Sequence, residues 1–199
     1  ALGTRFSAVS WDTGQLFVQL GNGLLEAFAG TTGKLNWSVQ LPNEYMFTSP
    51  PTATAGVVYT AGSGSGGLLY AVSESTGTVE WSQPVENGDH SAPSVDSTGI
   101  YVSYAGELSY KFSTSGHLLW THTNGLEGGG GRTTVVHRSQ VWIRGDAGQP
   151  PTILDASTGA TVRTFVGLTT PAFYGDDAVS TTASGLQATN VKSGAIVWT

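Results

Sequence analysis

The sequence contains no cysteine in its 199 residues. A disulfide framework, a thiolate metal site and a cysteine nucleophile are therefore excluded. The chain also lacks any apolar run near the eighteen or so residues that a membrane-spanning helix requires. We therefore predict that it is not transmembrane.

Charged side chains are scarce, at 11% of the chain, and only eight of them are Lys or Arg. Contact with the phosphates of nucleic acid requires clustered basic residues, whereas these eight are scattered and the net charge is −6. We therefore predict no nucleic-acid partner. The low charge and the many Ser, Thr and Gly residues favour an extracytoplasmic location, which would be secreted, periplasmic or at the cell surface.

One pattern is present five times. Each copy has apolar residues, a short polar stretch that closes on a glycine, and an aromatic residue beyond it. The copies are LLEAFAGTTGKLNW (24–37), LLYAVSESTGTVEW (68–81), LSYKFSTSGHLLW (108–120), TILDASTGATVRTF (152–165) and LQATNVKSGAIVW (186–198). The closing glycines, called here the landmark glycines, are Gly33, Gly77, Gly116, Gly159 and Gly194. They are 44, 39, 43 and 35 residues apart, which is the size of a propeller blade.

Tryptophan follows the landmark glycine by four residues in four copies, at Trp37, Trp81, Trp120 and Trp198. The fourth copy has Arg163 there instead. We expect Phe165, two residues further along the same strand face, to take the place of the missing tryptophan. The position six residues before the glycine holds Ala27, Ala71, Tyr110, Ile153 and Ala188.

Further strand-like segments precede each copy, so every repeat is predicted to contain four short strands, A to D. Alternation places the odd-numbered residues of 57–61 on one face of a strand, and likewise the even-numbered residues of 100–104. A four-stranded sheet cannot bury both its faces alone, so neighbouring repeats are expected to stack. We predict one domain over residues 1–199, with repeats at about 5–41, 49–85, 91–123, 132–166 and 169–199.

These copies resemble the quinoprotein, or PQQ-like, propeller repeat, in which an Asp- and Thr-Gly-containing turn is followed by two aliphatic residues and a tryptophan. The nearest forms are LLYAVSESTGTVEW and ILDASTGATV. The resemblance covers essentially the whole chain and implies an all-β propeller of four-stranded antiparallel blades. It also implies that the tryptophan docks between blades.

Two functional groups share this repeat. One consists of dehydrogenases that hold PQQ and calcium, often with a vicinal cysteine pair, and this sequence has no cysteine. The other consists of cofactor-free scaffolds, which include the lipoprotein of the outer-membrane barrel assembly machinery. The resemblance favours the scaffold group, with no cofactor and with a protein or a surface polymer as partner. A fragment of a PQQ-dependent oxidoreductase and a carbohydrate-binding or carbohydrate-cleaving propeller remain the alternatives.

The number of blades is open at this stage. The family usually closes with seven or eight blades, whereas five are visible here. The chain would form a five-bladed ring, obtain blades from other chains or belong to a longer polypeptide. We favour the longer polypeptide, because the sequence stops at Trp198 and Thr199 inside the last predicted strand.

Isolated motifs give little support for catalysis. The four histidines lack the spacing of metal ligands, and the carboxylates are explained by turns. GSGSGG (62–67) has the form of a nucleophile elbow but lies between two strands, and no helix follows the glycines at 128–131. Asn36 begins a glycosylation sequon that overlaps the blade tryptophan, so we expect it to be unoccupied.

The connections from strand D to the next strand A are the predicted contact surface, because rigid blades position variable loops. The longest are residues 39–48, 82–90 and 121–131. The sequence favours a non-enzymatic scaffold or interaction domain, although it leaves enzymatic activity open. We predict no catalytic, cofactor or metal residues. The candidate contact residues are Tyr45, Phe47, His90, Glu127 and Arg132.

Overall fold

The structure is a computed structural model that describes residues 6–64, 66–104, 108–123, 131–145 and 150–199. These residues form five four-stranded antiparallel sheets. In each sheet the strands that pair are consecutive in the chain, as predicted for strands A to D of a propeller blade. The all-β prediction and the predicted blade architecture are confirmed.

Contacts divide the chain into two compact units, of which the first contains residues 1–132. It holds blades 1, 2 and 3. The strands of blade 1 are β1 (Phe6–Asp12), β2 (Gln15–Leu20), β3 (Leu24–Ala29) and β4 (Leu35–Gln40). Those of blade 2 are β5 (Thr52–Thr54), β6 (Val57–Ser63), β7 (Gly67–Ser73) and β8 (Val79–Pro84). Those of blade 3 are β9 (Ser94–Asp96), β10 (Gly99–Ser103), β11 (Ser109–Phe112) and β12 (Leu118–His122).

The second unit contains residues 133–199 and holds blades 4 and 5. The strands of blade 4 are β13 (Val135–His137), β14 (Gln140–Ile143), β15 (Thr152–Asp155) and β16 (Thr161–Thr164). Those of blade 5 are β17 (Ala172–Tyr174), β18 (Asp177–Thr182), β19 (Gly185–Asn190) and β20 (Ile196–Trp198). In the part of the chain that the structure describes, no helix is long and apolar enough to cross a membrane.

The core of the first unit lies between facing blades. Phe17 and Leu25 of blade 1 pack with Val58 and Tyr70 of blade 2. The opposite face of blade 2 packs against blade 3 in a second cluster, to which Tyr59 and Ala61 belong together with the even-numbered residues of 100–104. The predicted alternation in both strands is therefore confirmed. Blade 2 is buried on both faces because each face has a neighbour.

The second unit repeats this arrangement on a smaller scale. Trp142 and Ile153 of blade 4 form a buried cluster with Ala178 and Val191 of blade 5. Phe173 of β17 packs against the same cluster, with its ring 5.3 Å from that of Trp142 and nearly perpendicular to it. Stacking of neighbouring repeats thus supplies the core in this unit too.

The landmark glycines close the turns between strands C and D. All five have positive φ angles, between 66° and 84°. In blade 2 the amide of Gly77 donates to the carbonyl of Ser73, and in blade 5 that of Gly194 donates to Asn190. Because a side chain is strained at such φ angles, the repeat places glycine there.

The tryptophans of blades 1 and 2 dock on the turn of the following blade. The indole N–H of Trp37 donates to the carbonyl of Glu74, with the two atoms 2.7 Å apart, and that of Trp81 donates to Thr114 at 3.0 Å. Each ring also lies against the landmark glycine of that turn. A Cβ added to Gly77 would lie 2.7 Å from Trp37. The docking that the resemblance implied is therefore present between these blades.

The strand register identifies the residue opposite each tryptophan. Ala27 pairs with Trp37 and Ala71 with Trp81, as the repeat alignment indicates. In blade 3, however, the residue that pairs with Trp120 is Lys111, which lies five residues before the landmark glycine, and not Tyr110, which lies six before it. The turn of blade 3 is one residue shorter, so counting back from its glycine places the register one position too early.

Candidate functional site

The first connection, residues 41–51, runs from β4 to β5 and is fastened to both neighbouring blades. Met46 exchanges two backbone hydrogen bonds with Ser63 at the end of β6, with N–O distances of 3.1 and 2.9 Å. The amide of Phe47 donates to Gly21 on the other side. The backbone of this connection is therefore held at both blades rather than standing free in solvent.

Tyr45 and Phe47 differ in their exposure. Phe47 is 2% exposed, and its ring fills the space between two glycines: a Cβ added to Gly62 would lie 2.5 Å from it, and one added to Gly23 would lie 2.8 Å from it. Tyr45 is 68% exposed, with one face of its ring over Gly64 and its hydroxyl donating to the carbonyl of Gly64. Of this pair, Tyr45 is available to a partner, whereas Phe47 belongs to the core between blades 1 and 2.

His90 lies on the second connection, residues 85–93, and its side chain is 60% exposed. Its Nδ1 is 3.0 Å from the Oδ2 atom of Asp89, a carboxylate that is itself almost buried. The other carboxylate oxygen of Asp89 accepts a hydrogen bond from Asn87. The backbone of His90 has a φ of 54° and its amide donates to the hydroxyl of Thr48. The imidazole is therefore held at the surface by an oriented carboxylate.

Arg132 lies in the third connection, between β12 and β13, and is only 8% exposed. Its amide donates to Ser103, its carbonyl accepts from the hydroxyl of Ser91, and its Nη1 donates to the carbonyl of Gly131. Arg132 thus attaches the third connection to blade 3 through a hydrogen bond of its buried backbone. Glu127 lies outside the described residues.

Hydrogen bonds join the described residues of the three connections to one another. The hydrogen bond from His90 to Thr48 joins the second connection to the first, and one from the amide of Gly131 to the carbonyl of Asp89 joins the third to the second. The connection surface is named here for its exposed side chains, Tyr45, Met46 and His90. The sequence prediction missed Met46, which is 41% exposed, although its position between two predicted contact residues was a usable signal.

Burial shapes the electrostatics beneath this surface. Tyr104 of blade 3 is fully buried, and burial, with the charge of Asp89 next, raises the pKa of its phenol well above the usual range. Burial, with the charge of Glu44 as a smaller cause, likewise raises the pKa of Tyr70. Both phenols therefore stay neutral and act as packing groups, and the phenol of Tyr70 also donates to the carbonyl of Pro42.

A second candidate site is a cleft of about 360 Å³ between blades 4 and 5. Arg163 of β16 lines it, in the register position opposite Ile153 that tryptophan holds in other blades. The guanidinium donates to the carbonyls of Val191 and Lys192, as the docking indoles do to the turns they contact. The expected substitute, Phe165, packs against Trp142 instead, with ring centroids 5.0 Å apart. Arg163 itself therefore contacts the turn, because it occupies the strand position that tryptophan holds in the other blades.

Neither site has the features of a metal centre. Among the residues within the described ranges, no group of three or more His, Asp or Glu side chains is placed to hold a metal ion. The predicted absence of cofactor-binding residues remains a prediction, since the structure carries no ligand with which to test it.

The blades and their docking contacts define the class of the protein, a β-propeller repeat protein. The chain belongs to the PQQ-like propeller family described as outer membrane protein assembly factor BamB, whose model matches residues 21–163. The resemblance to quinoprotein-type repeats is thereby confirmed. No curated protein matches the sequence.

Two solved structures share the fold. BamB from Moraxella catarrhalis is 18% identical with a TM-score of 0.75, and the match covers 97% of this chain and 63% of that one. The computationally designed Ika8 protein is 14% identical with a TM-score of 0.78, over 97% of this chain and 60% of that one. The chain therefore spans about three fifths of the length of these two proteins.

Proposed function

We propose that this chain is a non-enzymatic interaction scaffold that binds a protein partner through the connection surface in an extracytoplasmic compartment. The observation that carries the proposal is the placement of Tyr45 and Met46, which are exposed on a backbone fastened to two blades. Exposed aromatic and Met side chains on a rigid frame are typical of protein interfaces, because little conformational entropy is lost on binding. Membership of a family named for outer-membrane protein assembly supports a protein as the partner.

Site-specific photocrosslinking tests this proposal. A photoreactive phenylalanine analogue replaces Tyr45 or His90 in the natural protein, produced in its own cells. The matched control is Leu118, which is 54% exposed on the outer strand β12. We expect one protein to be crosslinked from Tyr45 and His90 and not from Leu118. Equal crosslinking from all three positions would refute the proposal that the connection surface binds the partner.

The alternative functions are tested separately. Dye reduction that depends on added PQQ and calcium would contradict a scaffold without enzymatic activity. A glycan array would detect a carbohydrate ligand, and binding there without a crosslinked protein would overturn the protein partner.

We also propose that further blades of the same type adjoin this chain. Trp198 holds the docking register opposite Ala188 yet is 46% exposed. The turn of blade 1 offers the complementary surface, since a Cβ added to Gly33 would meet nothing within 4 Å. The intact mass of the natural protein tests this proposal. We expect a mass well above 20.6 kDa, and a monomer of 20.6 kDa would contradict it.

A further inference from the structure

The cleft between blades 4 and 5 occupies a place that a tryptophan ring fills in other blades. A Cβ added to Gly77 or Gly116 would lie 2.7 or 2.8 Å from the docked ring, whereas one added to Gly194 would lie 3.5 Å from the nearest atom of Arg163. The guanidinium of Arg163 donates hydrogen bonds to the turn as a docking indole does, but it is smaller than the two fused rings of an indole. The space that the larger indole would fill therefore remains open between blades 4 and 5.

The walls of this cleft combine aromatic groups with a single positive charge. Trp142 and Phe165 line one side, and Ile196 adds an aliphatic group. Gln187 and Ser193 contribute polar groups, and Arg163 is the cation. All of the lining residues lie in the described part of the chain, and none of them is acidic. The cleft therefore favours a ligand with an aromatic body and a negative charge.

The guanidinium of Arg163 is the charged hydrogen-bond donor of the cleft. Arg163 uses Nη1 and Nη2 on backbone carbonyls, but a guanidinium has five N–H groups. A ligand that supplies oxygen acceptors can therefore pair with the remaining N–H groups of Arg163. A carboxylate supplies two oxygen acceptors and the complementary charge.

We propose that this cleft binds a planar aromatic carboxylate. The aromatic body occupies the volume that an indole fills in the other blades, against Trp142 and Phe165. The carboxylate accepts from the guanidinium of Arg163. A volume of about 360 Å³ suits such a ligand, because small-molecule sites begin at about 300 Å³. This site is independent of the connection surface, which lies in the other unit.

Calorimetric titration of the whole chain with indole-3-acetate tests the proposal. Indole-3-acetamide has the same ring without the charge, and acetate has the charge without the ring. We expect indole-3-acetate to bind about tenfold more tightly than the acetamide, because a charge-assisted pair is lost. We expect no binding of acetate. Equal affinity for the acid and the amide would refute the role of Arg163.

Variants then locate the site. Arg163→Trp restores the tryptophan of the repeat and should abolish binding while the thermal midpoint stays at or above that of the natural chain. Thr189→Phe places a ring in the same cleft and should also abolish binding, whereas Thr161→Phe alters an exposed position that does not line the cleft. Unchanged binding by both folded cleft variants would overturn the proposal.

Two sources can supply this chemistry, a free aromatic acid or the C-terminal aromatic residue of a peptide. A tetrapeptide ending in Trp and its C-terminally amidated form distinguish them. Binding of the free-acid peptide at least as tight as that of indole-3-acetate identifies a peptide terminus as the ligand. Binding of indole-3-acetate alone identifies a small molecule, and failure of both probes refutes the site.

Discussion

The indole N–H of Trp37 donates to the carbonyl oxygen of Glu74 across 2.7 Å, so the outer strand of blade 1 is fastened to a turn of blade 2. The same ring packs beside Phe17, with centroids 5.9 Å apart. The Trp37 side chain thus contributes a hydrogen bond between two sheets, which are also joined by side-chain hydrogen bonds of Thr13 and Thr60. Stability of the blade array should therefore depend strongly on these tryptophans.

Substitution of Trp37 by Ala should lower the free energy of unfolding by about 3 kcal/mol, because a large aromatic contact and a hydrogen bond are lost together. Trp11 is 63% exposed and provides the matched control. Its replacement by Ala should cost less than about 0.5 kcal/mol. Urea denaturation of the two variants measures both values. Equal losses would contradict a special role for docking.

The landmark glycines separate the effect of backbone strain from that of ring contact. Gly33 and Gly77 have φ angles of 66° and 72°, but an added Cβ meets nothing at Gly33 and lies 2.7 Å from Trp37 at Gly77. Gly33→Ala should lower the free energy of unfolding by about 1 kcal/mol through backbone strain alone. Gly77→Ala should cost about 2 kcal/mol more, through displacement of the ring. If the two losses are equal, the glycine is required only for its φ angle.

The two aromatic residues of the first connection should respond differently to truncation. Phe47→Ala removes a ring buried between blades and should cost about 3 to 5 kcal/mol in the free energy of unfolding. Tyr45→Ala should cost less than about 1 kcal/mol, because most of its ring is exposed. Chemical denaturation compares them. A large loss for Tyr45→Ala would show that this residue stabilises the fold rather than serving a partner.

The blades could be predicted from the sequence because the repeat has a fixed local chemistry. A glycine is needed at positive φ, a tryptophan follows on the same strand, and apolar residues alternate in strand B. All of these are properties of neighbouring residues, so one chain is enough to detect them. In blade 3 the residue opposite Trp120 is Lys111 rather than Tyr110 because the turn is one residue shorter.

The exposure of the candidate contact residues was harder to predict, because the burial of a loop residue depends on residues that are distant in the sequence. Phe47 and Arg132 are in loops, yet Phe47 fills a space made by Gly23 and Gly62, and Arg132 is held by Ser91 and Ser103. No local pattern marks those partnerships. The role of Arg163 was missed for a different reason, since residue class alone does not show that a guanidinium and an indole can donate to equivalent turn carbonyls.

Glu74 should make stability depend on pH above its ordinary pKa of 4.5. Its side chain is buried against blade 1 and accepts from the hydroxyl of Thr13. Burial is the largest effect and raises its pKa above 4.5; the hydrogen bond from Thr13 opposes this and Asp12 reinforces it. The folded state therefore holds the proton more tightly than the unfolded state. The contribution of Glu74 to stability is fully present below about pH 4.5 and is lost as the pH rises through the raised pKa.

Glu74→Gln keeps an oxygen acceptor for Thr13 and removes the charge. This variant should be more stable than the natural chain at pH 7, and the difference should shrink as the pH falls below about 4.5, where the natural carboxyl is protonated in both states. Denaturant titrations at pH 4 and pH 7 measure the difference. An advantage of equal size at both values would mean that charge burial is not its cause.

Asp155 should make stability fall as the pH is lowered, which is the opposite of the effect of Glu74. The hydroxyl of Ser157, with the backbone and hydroxyl of Thr158, donates to one carboxylate oxygen of Asp155 and lowers its pKa to about 2. The folded state therefore favours the ionised carboxyl. This contribution is present above the ordinary pKa of 3.8 and is lost as the pH falls through about 2.

Blade 5 contains the neutral counterpart of this turn. Asn190 accepts from the amides of Lys192 and Ser193 through its side-chain oxygen, as Asp155 does in blade 4. Asp155→Asn should keep the turn and reduce the loss of stability between pH 4 and pH 2, whereas Asn190→Asp should increase that loss. Thermal unfolding across this range measures both variants. Parallel pH profiles for the two variants would show that the charge at this position does not govern acid stability.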